Sequence, residues 1–354
     1  MNETLVEILS AVGKPAERHS CSDGSEVLIL PYGGRILGLF APGSDENFYW
    51  THPALGSVGS ARDFYDSDEW HNSGGDRTWL APEVDFFFPD FPSTETYWQP
   101  RQLDPGRYEV AQTETGPQLV NRLTLKLSRS GQEVDLQITK SVGGAPSPLR
   151  HERGLGDLAG IEYAGYTLHT SLECQGTAAE DAPAVGLWNL VQMPHGGDLL
   201  VPTYVRTEPK VYFGTVDDAD LIVTDRLVRY RMRAAGEHKI GIRAVATAGR
   251  VGYVYPVRDE RWSLIVRNFF VDPSGEYVDV PWGDTEDMGY STQACNVNSA
   301  LGSFSELEYH VPALGRGTGR RRSVDAAQVW AFRGPLEGIR AVAERLLTPD
   351  VGGG

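Results

Sequence analysis

Short apolar segments with a period of two recur along most of this chain of 354 residues. In the clearest one, residues 134–139, Val, Leu and Ile alternate with Asp, Gln and Thr. This alternation is typical of β-strands, and nearly every gap between such segments contains Gly, Pro or Asp, which favour turns. An α/β fold would require helical segments between the strands, and these are missing. The pattern therefore predicts an all-β chain.

The predicted strands extend over most of the sequence. Residues 26–32 and 35–40 predict a β-hairpin because they are joined by Gly33-Gly34. Further strands are predicted near residues 107–112, 118–127, 160–174, 185–191, 221–231, 238–244, 250–255, 262–270, 303–311 and 323–332. So many strands with so few helices favour a large antiparallel β-supersandwich.

Two short helices are predicted, one at each end. Leu5, Ile8 and Leu9 form an apolar stripe that we expect to cover a sheet edge. Residues 335–347 have a helical period and begin with a proline, which suits a first helical turn. We find no linker, so we expect one domain over residues 1–354, with its core at about 20–347.

Composition excludes several classes of partner. A formal net charge of −16 argues against nucleic acid and against an anionic membrane surface. The basic run at residues 316–322 is either a phosphate site or a solvated hairpin turn. Cys21, Cys174 and Cys295 show neither a disulfide framework nor zinc-site spacing. Since the N-terminus lacks the pattern of a signal peptide, a cytoplasmic location is expected; the oligomeric state stays open.

Residues 48–98 contain thirteen aromatic residues in fifty-one positions, mixed with Asp, Glu, His and Arg. Gly and Pro interrupt this stretch, so we expect much of it to be loop. Aromatic rings can stack on the C–H faces of a sugar, while carboxylates, amides and Arg hydrogen-bond its hydroxyls. Alternatively, the rings only attach long loops to the body of the protein.

Several motifs resemble those of the galactose mutarotase-like (aldose 1-epimerase) superfamily, especially its uncharacterised bacterial branches. These motifs are the hairpin at 31–37 and residues 48–55, 74–83, 186–197 and 302–313, and the resemblance extends from about residue 25 to 345. It implies a β-supersandwich with a carbohydrate cleft on one face. Aldose epimerases carry an Asn-Leu-x-x-His-x-Tyr-x-Asn-Leu segment whose His is the acid. That segment is missing here, and the nearest fragment is Leu168-His169-Thr170.

An acid–base pair is the main requirement for opening a sugar hemiacetal. Glu306 and Glu308 lie two apart in a predicted strand, so they share one face, either as catalytic groups or as a solvated outer face. Their position before Pro-Ala favours Glu308. His195, in a Pro-His-Gly-Gly turn, and His71, in the aromatic region, are the candidate acids, although both could be ordinary loop residues.

Other side chains complete the predicted site. Arg77 could bind hydroxyls or a carboxylate, or else pair with Asp76 or Glu83. The remaining candidates for substrate binding are Trp79, Glu83, Gln192, His52 and Trp50. No metal site is predicted, although His310 shares the face of the two glutamates and could complete one. The glycine pairs lack the context of a nucleotide loop, so no cofactor is expected.

We therefore expect a carbohydrate-active enzyme with a small-molecule carbohydrate as its partner. The first hypothesis is an aldose 1-epimerase (mutarotase) type of sugar isomerase that uses a Glu/His acid–base pair. The second is a lyase or hydrolase acting on an oxidised or modified glycoside. The third is a non-catalytic sugar-binding protein, which the missing His segment favours.

Overall fold

The computed structural model describes residues 4–114, 116–152, 160–176 and 178–352. The α-helices are α1 Leu5–Ala11, α2 Val58–Asp66, α3 Glu83–Phe86 and α4 Leu336–Leu346, with 3-10 helices at Pro53–Gly56 and Pro349–Gly352. The strands are β1 Glu17–Ser20, β2 Glu26–Leu30, β3 Arg35–Phe40, β4 Asp76–Ala81, β5 Glu109–Thr113, β6 Gly116–Lys126, β7 Glu133–Gly144, β8 Glu162–Cys174, β9 Gly186–Pro194, β10 Asp198–Pro202, β11 Lys210–Phe213, β12 Leu221–Val223, β13 Leu227–Arg231, β14 Gly236–Arg243, β15 Arg250–Pro256, β16 Arg261–Asn268, β17 Tyr290–Ser299, β18 Gly302–His310 and β19 Arg322–Pro335. No helix within these ranges is long and apolar enough to cross a membrane.

The strands form two large antiparallel sheets, which confirms the predicted all-β sandwich. A nine-stranded sheet has the order β1-β2-β3-β4-β9-β18-β17-β14-β11, and a ten-stranded sheet has the order β12-β13-β10-β15-β16-β19-β8-β7-β6-β5. Apolar side chains from both sheets, such as Leu307 of β18 and Leu168 of β8, meet in one continuous core. The sheets therefore pack face to face, as sandwich sheets do.

The predicted hairpin and the C-terminal helix are confirmed with small shifts of their ends. In α4, Ile339, Val342 and Leu346 pack on the outer face of the ten-stranded sheet. The N-terminal helix is also present, but Ile8 and Leu9 pack on the face of β2 and β3. They do not cover an edge, because β1 continues the sheet there. The basic run at 316–322 forms an exposed turn between β18 and β19.

Much of residues 48–98 lies outside helices and strands, as expected, but their central part is regular. The segment contains α2, a 3-10 helix and β4, which pairs with β9 in the middle of the sheet. Every residue of β4 is buried. Polar and apolar residues therefore do not alternate along β4 as they do in a strand with one solvated face. Asp76 and Thr78 face the polar part of the core, while Arg77 and Trp79 face outward under other residues. Because both faces contain buried polar groups, the usual alternation is lost.

Four further strands were not predicted. β1, β10 and β11 are short, and β17 carries Ser, Thr, Gln and Asn at buried positions. The segment predicted at 221–231 is divided into β12 and β13, which pair with each other as a hairpin. β17 matters most, since it lies beside β18 and contributes to the candidate site.

Candidate functional site

Buried charged side chains cover the outer face of the nine-stranded sheet. In a sandwich this face is normally solvated, because the opposite face packs in the core. Here Leu307 and Tyr309 of β18 face the core, and Glu306, Glu308 and His310 face outward, as the period of two predicts. Nevertheless, Glu308 is fully buried and Glu306 is 7 % exposed. Segments flanking β4 and preceding β17 cover this face.

A cavity of about 620 Å³ lies between the outer face and these covering segments. Its floor comes from adjacent strands and consists of Arg77, Trp188, Lys239, Cys295, Glu306 and Glu308. Its walls contain the rings of Phe64, Trp70, Trp79, Phe88, Tyr97, Phe213, Trp282 and Phe304. Cavities of this size, with apolar walls and a few convergent polar groups, are typical of small-molecule sites.

One oxygen of Glu306 is held by two donors. Arg77 donates from Nη2 to Oε1 at 2.8 Å, and Gln192 donates from Nε2 to the same oxygen at 2.9 Å. The guanidinium of Arg77 stacks over the ring of Trp79, with its central carbon 4.1 Å from the ring centroid. Arg77 thus pairs with Glu306 rather than with Asp76 or Glu83. Its Nε and Nη1 have no hydrogen-bond partner among the described residues.

One oxygen of Glu308 is held in the same way. Trp188 donates from Nε1 to Oε2 at 2.8 Å, and the Lys239 ammonium lies 3.2 Å from that oxygen. Within the described ranges, the other oxygen, Oε1, has no hydrogen-bond partner. Burial raises the pKa of Glu308 to about 8; Lys239 opposes this shift, while Glu306 and Glu83 add to it. Glu308 therefore holds its proton to higher pH than an ordinary carboxyl group does.

Lys239 joins two of the carboxylates. Its Nζ lies 3.2 Å from Glu83 as well as from Glu308, and 4.1 Å from the centroid of the Trp188 ring. Burial alone would lower the pKa of Lys239, but Glu308 and Glu83 raise it above its ordinary value, so the ammonium stays charged. Glu83 is also fixed by Tyr97 at 2.9 Å and by Trp282 at 3.1 Å.

The structure brings only part of the predicted site to the cavity. Glu306, Glu308, Arg77, Trp79, Glu83 and His52 line it. Gln192 lies behind Glu306, and Trp50 packs on Phe304 with ring centroids 4.7 Å apart. The ring of His52 stacks on Phe64, and its Nδ1 accepts from the backbone of Ala54, so it caps the 3-10 helix at 53–56.

The two predicted histidine acids do not line the cavity. His71 hydrogen-bonds Tyr32 and the carbonyl of Ser67, and burial lowers its pKa. His195 bonds Asn296 at 3.0 Å. These hydrogen bonds hold both imidazoles at positions outside the cavity lining. A Glu/His pair is therefore not assembled on the cavity floor.

His310 lies behind the floor. Its ring stacks on Trp188, with centroids 5.7 Å apart, and its Nε2 is 3.9 Å from Asp279. Neither ring nitrogen has a hydrogen-bond partner in the described part of the chain. Burial, and then the charge of Lys239, hold the pKa of His310 well below its ordinary value, so the imidazole is neutral.

Several cavity residues were not predicted: Lys239, Trp188, Cys295, Trp70, Asn72, Tyr97 and Trp282. A signal existed for Trp188, which is four residues before Gln192 in the same strand and thus on the same face. Lys239 lies in a strand that was predicted, but nothing in the sequence shows that its outer face is covered. Asn72 is buried, and its amide group has no partner among the described residues.

Comparison with known structures finds similar chains with low identity. The structure is similar to a GalM/aldose epimerase homologue from C. elegans at 9 % identity and a TM-score of 0.41, covering 91 % of this chain and 99 % of that chain. It is similar to a galactose mutarotase related enzyme from Lactobacillus acidophilus at 10 % identity and a TM-score of 0.37, covering 88 % and 96 %. A galactose 1-epimerase from Lactobacillus acidophilus gives 7 % identity, a TM-score of 0.37 and coverage of 90 % and 94 %.

Comparison of sequences gives a family without an assigned activity. Among curated proteins, none matches the chain. One family model, described as "Family of unknown function (DUF6786)", matches residues 6–352. Since this match includes nearly the whole sequence, the chain belongs to the family of unknown function DUF6786.

Proposed function

We propose that this protein is a carbohydrate-active enzyme that interconverts the anomers of a free aldose, with Glu308 as the acid and Glu306 as the base. The reaction is the mutarotase type expected from the sequence motifs, with a second carboxyl group in place of the predicted histidine acid. The ligand is a small carbohydrate bound in the cavity above the nine-stranded sheet.

The main support for this reaction is the arrangement of hydrogen bonds around the carboxyl groups of Glu306 and Glu308. Each has one oxygen anchored by two donors, and among the described residues the other oxygen accepts no hydrogen bond. An acid–base catalyst needs this combination, because the group must be fixed in space and must keep one oxygen free for the proton. Burial keeps the proton on Glu308, so that it can act as an acid near neutral pH.

The reaction then needs only these two groups. Glu306 takes the proton of the anomeric hydroxyl while Glu308 gives its proton to the ring oxygen. The bond between the anomeric carbon and the ring oxygen breaks, giving the open-chain aldehyde. Rotation about the adjacent carbon–carbon bond and the reverse proton transfers close the ring as the other anomer. No net proton is gained or lost by the protein.

The cavity walls support a sugar as the ligand. Flat rings such as Trp70, Trp79 and Tyr97 can stack on C–H faces, and the free nitrogens of Arg77 and the amide of Asn72 can bind hydroxyls. The order of motifs that resemble the galactose mutarotase-like superfamily supports the same ligand class.

The direct test is NMR exchange spectroscopy on a panel of free aldoses with catalytic amounts of protein. We expect faster exchange between the α and β anomeric signals of at least one sugar than in buffer alone. Saturation-transfer signals without faster exchange, across the whole panel, would instead favour a non-catalytic sugar-binding protein.

A hydrolase is the second candidate, and one distance favours it. At least one carboxyl oxygen of Glu306 lies within 4.8 Å of one of Glu308, so two carboxyl groups can act on the same glycosidic bond, as glycoside hydrolysis requires. Release of the aglycone from nitrophenyl glycosides, or of an unsaturated product from a uronide, would identify a hydrolase or a lyase. An isomerase should give neither product.

The pH dependence tests the role of Lys239. If protonated Glu308 is the acid, activity should be present below its pKa of about 8 and decline as the pH rises through it. Lys239 stabilises the ionised form, so Lys239→Met should raise the pKa of Glu308 further and move the alkaline limb to higher pH. The measurement is the initial exchange rate from pH 5 to 10.

Lys210→Met is the matched control for this shift. Lys210 lies on the neighbouring strand β11, is partly exposed and pairs with Asp287 at 3.2 Å. The substitution Lys210→Met removes the same charge as Lys239→Met but changes no residue of the cavity floor. The pH profile of Lys210→Met should therefore match that of the wild type. An alkaline limb that stays in place in Lys239→Met, or that moves equally in both variants, contradicts the assignment of Glu308 as the acid.

A further inference from the structure

We propose that the cavity floor also binds one thiophilic divalent cation of the Zn²⁺ and Cd²⁺ class. The ligands are the thiolate of Cys295 and one carboxylate oxygen each of Glu306 and Glu308. Because the cation occupies oxygens that the proposed reaction uses, cation and sugar exclude each other, and the cation inhibits the enzyme. Only this inhibition rests on the proposed function; the binding itself does not.

The backbone register brings the three ligands together. Cys295 of β17 lies directly opposite Glu306 of β18, and Glu308 follows two residues later on the same face. One ligand atom of each side chain lies within 4.8 Å of the others. Bonds of about 2.0–2.3 Å to zinc place tetrahedral ligands roughly 3–4 Å apart, so small side-chain rotations would close the site.

Two buried side-chain oxygens at or beside the floor have no hydrogen-bond partner among the described residues. Oε1 of Glu308 is buried and has no hydrogen-bond partner among the described residues. Oε1 of Gln192 is likewise buried and unpartnered there, while the Nε2 of the same amide bonds Glu306. The only hydrogen bond of the Cys295 thiol within the described ranges is a long one of 3.8 Å to the carbonyl of Asn296. Buried polar atoms usually have a partner, so Oε1 of Glu308 is available to bind a cation.

The charges of the floor favour a divalent cation. Glu83, Glu306 and Glu308 carry up to three negative charges, and Lys239 and Arg77 carry two positive charges. The thiolate of Cys295 would bring the floor to a net charge of −2, which a divalent cation balances. Without the cation, burial and the two carboxylates raise the pKa of Cys295 well above its ordinary value, so the sulfur keeps its proton.

Binding exchanges that proton for the metal. The S–H bond of Cys295 and the O–H bond of protonated Glu308 break, bonds from the cation to the sulfur and to the two carboxylate oxygens form, and both protons go to solvent; no electron is transferred. A sulfur ligand selects borderline-soft and soft cations, whereas Mg²⁺ and Ca²⁺ prefer oxygen ligands in larger number. The site should therefore bind Zn²⁺ and Cd²⁺, and Mg²⁺ should not compete with them for it.

The test is a titration of the metal-free protein with Cd²⁺ in the absence of sugar, followed by thiolate-to-cadmium charge-transfer absorption and by calorimetry. We expect one Cd²⁺ per chain, displaceable by Zn²⁺ and unaffected by excess Mg²⁺. Cys295→Ser should abolish the absorption and weaken binding by about tenfold or more, and Glu308→Gln should weaken it by a similar factor. Cys21→Ser, at a buried thiol outside the cavity, should bind as the wild type does.

Three results would overturn the proposal: no charge-transfer band at one equivalent, a band that persists in Cys295→Ser, or wild-type affinity in Glu308→Gln. If Cys295→Ser fails to fold, as judged by its thermal unfolding, the nearly isosteric Glu308→Gln still decides the question. These readouts do not depend on catalysis, so a protein without sugar activity can pass them. Conversely, an active isomerase that binds no Cd²⁺ refutes the metal site alone.

Discussion

Replacing Glu308 by Gln should slow anomer exchange by about 10²–10⁴, the usual contribution of a positioned acid–base group. The amide oxygen can still accept from Trp188 and Lys239, so the floor keeps its geometry. The amide cannot transfer the proton to the ring oxygen. Sugar binding, measured by saturation-transfer NMR or calorimetry, should therefore persist while exchange is lost.

Glu344→Gln provides the control for this experiment. Glu344 is an exposed residue of α4, which packs on the outer face of the other sheet. Its rate of exchange and its unfolding temperature should equal those of the wild type. If Glu308→Gln keeps full activity while Glu306→Gln is inactive, the acid has been assigned to the wrong carboxyl group. If both keep full activity, the site itself is wrong.

Replacing Asp76 by Asn should destabilise the protein by about 3–5 kcal/mol, the usual cost of removing one partner of a buried ion pair. Asp76 and Arg267 are both fully buried between the sheets and pair at 3.0 Å. Tyr166 also donates to Asp76 at 2.8 Å. In the variant, the charge of Arg267 would remain in the core without a counterion. The measurement is the free energy of unfolding in denaturant.

A second substitution separates charge from packing. Arg267→Met removes the stranded charge, so the double variant should recover part of the stability that Asp76→Asn loses. Glu109→Gln breaks the exposed pair with Arg122 and should change stability by less than about 1 kcal/mol. An effect of Asp76→Asn as small as that of Glu109→Gln would show that the core does not depend on this pair.

Part of the candidate site follows from local sequence, and β18 shows why. Its alternation alone places Glu306 and Glu308 on the face opposite Leu307, and the structure has them there. The burial of that face could not be predicted, since it depends on residues from 52 to 99 and near 282, which are distant in sequence. The local sequence of two outward glutamates is the same whether that face of the strand is covered or solvated.

The histidine partners illustrate the opposite error. His71 and His195 have the residue type expected of an acid, but their hydrogen bonds to Tyr32, Ser67 and Asn296 hold them outside the cavity lining. Lys239 is a site residue that the sequence did not indicate. A lysine on one face of a strand is usually solvated, and nothing near it in sequence shows that two buried carboxylates lie 3.2 Å from its ammonium. Spacing in sequence determines which side chains share a face, whereas long-range packing determines which faces meet.

The origin of the cavity walls has a consequence for how this family can diversify. The floor is assembled from strands that lie between residues 76 and 308. An insertion or deletion in any of these strands would shift its pairing with the neighbouring strands. Much of the wall, by contrast, comes from two short stretches on either side of β4, from His52 to Asn72 and from Glu83 to Gln99. Insertions or exchanges in these stretches can reshape ligand preference while the chemistry below stays fixed. Homologues should therefore differ in length mainly there, and transplanting both stretches between two members should transfer selectivity for the sugar.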